Sequence, residues 1–308
     1  MNQTPMLPRE EYIEQEYFFR IYRQRLLENT PSQEILKTIH EEILATTRLP
    51  MAIDIMHAEI LHSGRIGLAM HRLAHYFTPF QTFVIDRAED DVSRFEQSVG
   101  LEIMEREAKY RAGEWSPQGL FIYQFECLAR NRLGYHDGLT AIANDTAYDE
   151  HWKKWILSLR SQLGAYELAE LIFRASAHYQ ALRRSSGRTA SSDSTGSAAP
   201  QGSSASDATA FESASETAFF AVQDGRIARA NIGRDPLYFF AALQRQLNYP
   251  EVPLSKKVYD ESLPPMLEAR LVKIEQRLKI VEMEQKGGID LTKFYKKEDG
   301  TVPEDFPK

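Results

Sequence analysis

Glu59-Ile-Leu-His62 is an E-x-x-H, the spacing with which di-iron carboxylate bundles bring a carboxylate and an imidazole to one metal. Asp54-Ile-Met-His57 repeats the idea with a shorter acid on the same predicted helix. At about 100° per residue the two pairs face nearly opposite ways, so they cannot serve one centre. No second E-x-x-H occurs in the chain, and the di-iron pattern lacks its other half. A different grouping is more informative. If the predicted helix carrying Asp54 folds back against the next one about Thr78-Pro79, Glu102 comes level with Ile55, beside Asp54 and His57. A histidine between two carboxylates suits a metal or a proton transfer, with His57 and Glu102 as ligands of a divalent transition metal. The structural alternative is a satisfied polar network that fixes helix register and needs no cofactor. The same fold-over sets Arg65 level with Val92 and pairs it with Asp91 as a structural ion pair.

Other candidates carry less chemistry. His71 and His75 are four apart, but no H-E-x-x-H supplies an acid between them, and they suit a helix C-terminus. Asp86/Asp90 and Asp145/Asp149 are D-x-x-x-D patterns of the kind that hold magnesium on a diphosphate in helical synthases. Helix phase turns the first pair to solvent, and the second flanks Thr146 and reads as turn caps. His136 and Asp137, in the loop Tyr135-His136-Asp137-Gly138, are candidates for a pocket mouth. There is no glycine-rich phosphate loop and no G-x-S-x-G.

These residues need elements to position them, and every strong pattern is helical. The stretch 51–77 is apolar on all sides when wound as a helix, which predicts a buried helix at the centre of the domain. Before it lie a helix over Arg9–Leu27 and a second one opened by Thr30-Pro31-Ser32-Gln33, a capping-box pattern. Thr78-Pro79-Phe80-Gln81 repeats that pattern and opens a helix predicted to run over 79–112, with Phe80, Val84, Ala88, Val92, Phe95 and Val99 as its stripe. Ser116-Pro117 starts another, ended by Gly134, and two more follow over 149–163 and 165–184. Between 185 and 217 there are eleven serines and one aromatic residue, a composition that buries too little to offset ordering entropy. In Phe219-Phe220-Ala221-Val222-Gln223-Asp224-Gly225, the Asp-Gly could close a short β-hairpin, with an interrupted helix as the rival. Asp235-Pro236 caps one further helix. A last helix over 264–285 carries Leu267, Leu271, Ile274, Leu278 and Val281 as a short heptad seam suited to self-association.

The expected fold is therefore all-α: a multi-helix bundle over 1–184, a disordered linker over 185–217, a smaller mostly helical module over 218–288 and a flexible tail over 289–308. Four phrases, TTRLPMAID, HYFTPFQTFV, ARNRLGYHDG and DPLYFFAALQRQLNYP, resemble an all-helical bacterial protein family that has no assigned activity. The resemblance spans about 31–160 and 224–253. It implies an ordered helical protein and no catalytic residue.

Composition narrows the function classes. A net charge of −7 argues against nucleic acid as the default partner. The single cysteine, Cys127, leaves no intramolecular disulfide framework and no cysteine-based zinc site. No apolar run approaches the length of a membrane span, and the first residues lack a signal-peptide pattern, so the expected location is the cytoplasm. With no catalytic signature, the expectation is a protein-interaction or scaffolding protein that binds a protein partner or itself. The alternative is a metal-dependent or small-ligand-binding helical enzyme built on Asp54, His57 and Glu102.

Overall fold

The computed structural model describes residues 6–90, 95–190 and 218–254, all within one compact unit, Met1–Ser255. The described residues form thirteen helices and no strands. In order they are α1 (Arg9–Leu27), α2 (Ser32–Glu42), α3 (Leu49–Ser63), α4 (Gly67–Arg72), α5 (Pro79–Glu89), α6 (Gln97–Ala112) and α7 (Pro117–Arg130). After these come α8 (Tyr135–Ala143), α9 (Glu150–Gln162), α10 (Leu168–Arg174), α11 (Ala177–Ala190), α12 (Val222–Asn231) and α13 (Pro236–Leu247). The expected seam Leu267–Val281 and the stretches 191–217 and 289–308 lie outside the described residues.

The helix at the centre is α7. Every residue from Gly119 to Leu128 is buried, with α6, α8 and α13 packed around it. Ser116 starts it as predicted, accepting the Gly119 N–H at 3.1 Å ahead of Pro117. Hydrophobic contact then ties it outward: Phe121 packs on Phe125, Trp152, Trp155 and Phe220 with ring centroids 5.0–6.4 Å apart.

The expected buried helix over 51–77 is instead two helices. Gly64 adopts a left-handed φ of 74° and ends α3, as glycine does at a helix C-terminus. Phase is lost across the break, so residues assigned to a common interior diverge. Met56 and Met70 are buried, while Leu61 is 59% and Leu68 49% exposed. The predicted helix over 79–112 is also broken. It ends at Glu89, whose carboxylate accepts the N–H groups of Ile66 (2.6 Å) and Gly67 (3.0 Å) at the start of α4, and the next helix among the described residues begins at Gln97.

Caps show how neighbours decide between similar signals. Thr78 forms the full box, accepting from Gln81 N while its own N–H donates to the Gln81 side chain at 3.0 Å. Thr30 does not cap α2. Its N–H donates to Arg25 O at 3.1 Å, closing the end of α1 around Asn29 at φ 62°, and α2 begins after Pro31 without a side-chain cap. The predicted helix over 165–184 breaks at Ser176, where the Ala177 N–H donates to Phe220 O and the Phe219 N–H to Ala175 O. α11 runs on past position 185 to Ala190.

The β-hairpin alternative at Asp224-Gly225 is replaced by α12. The Asp224 side chain accepts the Ala221 N–H at 2.9 Å, which begins a helix rather than a turn. Gly225 serves close packing. A side chain there would run into Ser176 and come within 2.8 Å of the His178 Cβ. Residues 218–254 then cover α7 and α9. Phe219 stacks on Trp155, while Phe219 on Trp152 and Phe220 on both indoles pack edge to face; Tyr249 OH donates to Glu126 at 2.8 Å, and Asn131 donates to Pro253 O at 2.9 Å.

Candidate functional site

The predicted cluster of Asp54, His57 and Glu102 does not assemble, because both helices assumed to carry it are interrupted. Asp54 is 69% exposed on α3, with His40 Nε2 at 3.4 Å. His57 is half-buried on the same helix. Glu102, on α6, instead accepts from Arg23 at 3.2 Å and Arg106 at 2.5 Å, since α6 packs along α1. Among the described residues no group of three histidine, cysteine or acidic side chains is placed to hold a metal. The fold-over thus gives His57 and Glu102 no shared centre. Asp91, the expected partner of Arg65, lies outside the described residues. His71 pairs with Asp86 at 2.8 Å. His136 and Asp137 lie not in a loop but in the first turn of α8, which Gly134 precedes, and there Asp137 accepts from Arg87 at 2.6 Å and His136 meets Arg160 in surface contacts. Among the described residues no helix is long and apolar enough to cross a membrane.

What the fold does converge is a polar cluster under α7. α6 contributes Glu107 and Arg111, one turn apart; α7 contributes Gln124; the connection between α8 and α9 contributes Asp145 and Tyr148. Arg111 Nη2 donates to Glu107 Oε1 at 3.0 Å and also to Asp145 Oδ2. Gln124 Nε2 donates to Glu107 Oε1 at 2.7 Å and to Asp145 Oδ2 at 3.3 Å, while Tyr148 OH donates to Gln124 Oε1 at 2.8 Å. Tyr12 of α1 closes the cluster, its ring centroid 5.8 Å from the Arg111 guanidinium carbon. The side chains of Glu107, Arg111 and Asp145 have no exposed surface. Burial works against the Arg111 charge, but Asp145 and Glu107 outweigh it and raise the guanidinium pKa further. Burial raises Glu107 and Tyr148, Asp145 adding to both; Arg111 opposes the rise.

No protein-family model, curated protein or solved structure matches the chain.

Sequence reasoning missed this cluster, although a signal existed. Val99, Ile103, Glu107 and Arg111 recur every four residues, so the apolar stripe of α6 runs straight into a charged pair. Asp145 is the turn residue that its neighbours in sequence predict: Oδ1 accepts the Ala147 N–H at 3.0 Å. Its other oxygen does the long-range work, which no local pattern reveals. Asp149, its partner in the D-x-x-x-D, is a plain N-cap accepting from His151 and Trp152.

A second region differs in kind. At the corner between α12 and α13, Ile232, Leu237 and Tyr238 are 40%, 50% and 70% exposed. The backbone there is held: Gly233, at φ 75°, donates its N–H to Glu167 Oε2 at 2.8 Å, and Asp235 accepts the Leu237 N–H at 2.9 Å. Half-exposed Tyr166 adjoins Glu167, with the Arg174 guanidinium 4.4 Å from its ring centroid.

Proposed function

We propose that the chain is a cytoplasmic protein-interaction or scaffolding protein, with the α12–α13 corner as a contact surface. One observation carries this: three large apolar side chains stand out of a seven-residue corner whose backbone is tied by Glu167 and Asp235. Scattered exposed apolar residues need no explanation, whereas grouped ones mark contact sites. A tyrosine on a rigid turn adds large contact area at small entropic cost. The buried cluster, by contrast, has no solvent contact through which to meet a substrate, so it supports the scaffold.

A photo-crosslinking amino acid placed at Tyr238, with exposed Lys154 as the control position, tests the reading in cells. The expected result is a discrete adduct from position 238, abolished by Leu237→Asp in the same chain while the thermal midpoint holds. The adduct's mass separates a second copy of this chain from a different protein. Equal adduct from positions 238 and 154 would remove this corner as the contact surface.

A further inference from the structure

The Glu107 cluster holds one cation and two acids where water cannot solvate the difference. The two carboxylates are not equally provided for. Asp145 takes donors on both oxygens, from Arg111 and Gln124 on Oδ2 and from Ala147 N on Oδ1. Glu107 takes both of its donors, Arg111 and Gln124, on Oε1, and its Oε2 is buried without a hydrogen-bond partner. The guanidinium sends Nη2 to both acids and leaves Nε and Nη1 without partners. An ionised carboxylate with one bare buried oxygen is costly, and an un-ionised acid there is far less so.

We propose that Glu107 is a proton-binding site: it stands in the folded protein as a neutral carboxylic acid with the proton on Oε2, leaving Arg111 and Asp145 as the single ion pair. Folding then takes up one proton from solvent at neutral pH. The other titratable groups around Glu107 are Tyr12 from α1, Arg111 on its own helix, Tyr123 and Cys127 from α7, and Asp145 and Tyr148 from the α8–α9 connection. The phenols and the thiol are pushed upward by burial and stay neutral at neutral pH, so Arg111 and Asp145 are the charges that matter. The raised value of Glu107 fits this state. A carboxyl whose folded value lies above its unfolded value stabilises the fold below the ordinary carboxylate range, and that contribution is lost as pH rises through the folded value.

The test uses the full chain and Glu107→Gln, which mimics the neutral acid. Between the ordinary carboxylate range and the folded value of Glu107, the folding equilibrium of the wild type should fall by about tenfold per pH unit relative to Glu107→Gln. Infrared spectra at neutral pH with isotope-labelled glutamate should show an un-ionised carboxyl band, part of which is lost in Glu107→Gln. Glu89 and Glu126 are also raised by burial, and Glu89→Gln and Glu126→Gln identify their share of that band. Should Glu107→Gln not fold, the labelled wild type still decides, because a band wholly removed by the other two variants overturns the proposal. A wild-type to Glu107→Gln difference that stays flat across this pH range overturns it too.

Discussion

Two polar contacts in this protein are built on an aspartate, Asp145 and Asp54, to opposite effect. Around Arg111, two acids and a guanidinium without solvent contact join α6, α7 and the α8–α9 connection. Between α2 and α3, His40 and Asp54 meet at 3.4 Å with most of the Asp54 surface in water. In the first set nothing but the partner can satisfy each group, so the geometry is dictated. In the second, water competes for every lone pair and the contact is dispensable. Glu59 and Arg72 lie between these extremes. Glu59 is buried and accepts from Arg72 at 2.6 Å, while Arg72 itself is mostly exposed. Partner identity is thus a poor guide to importance, and burial of the weaker-placed partner is a better one.

The comparison breaks first at Arg111. Arg111→Ala strands the buried Asp145 carboxylate and takes a donor from Glu107, and should cost about 3–5 kcal/mol in urea unfolding. Combining Arg111→Met with Glu107→Gln and Asp145→Asn should recover part of that loss, because no charge is left unpaired. A cost under about 1 kcal/mol for Arg111→Ala, of the order seen for exposed pairs, would show that solvent reaches the cluster. Arg72→Ala comes next. It removes only the exposed partner, but Glu59 then lacks its donor, so a loss of about 1–2 kcal/mol in urea unfolding is expected. If Arg72→Ala and Glu59→Gln are both neutral, the intermediate class collapses into the surface one. Asp54→Asn should change stability by less than about 0.5 kcal/mol. Its small effect should fade in high salt while that of Arg111→Ala persists, since screening acts on exposed charge. A loss at Asp54 that survives high salt would put it in a buried network after all.

The helical character, most helix starts and several ends were legible in sequence because their causes are local. Thr78 and Gln81 are three residues apart, Ser116 reaches Gly119, Asp149 reaches His151 and Trp152, and Asp235 reaches Leu237. Each such bond forms within one helical turn, so residue type and spacing suffice to predict it. The same signals misled wherever a distant segment competed. Thr30 was drawn into the end of α1, Ser176 into contact with Phe220, and Gly225 into the gap beside Ser176.

The site was the least legible part, for a physical reason that the two ionic regions make plain. Asp54, His57 and Glu102 were joined by assuming two unbroken helices, and a left-handed glycine at position 64 together with the end of helix at Glu89 undid that register. Glu107 and Asp145 are separated along the chain and share a partner only because α6 and the α8–α9 connection meet beneath α7. Chain composition and spacing determined that this protein would be built of helices, where many of them would begin, and that a charged pair would continue the stripe of α6. Tertiary packing alone decided which charges lost their water, because desolvation depends on what lies across from a side chain and hardly at all on what lies beside it in sequence.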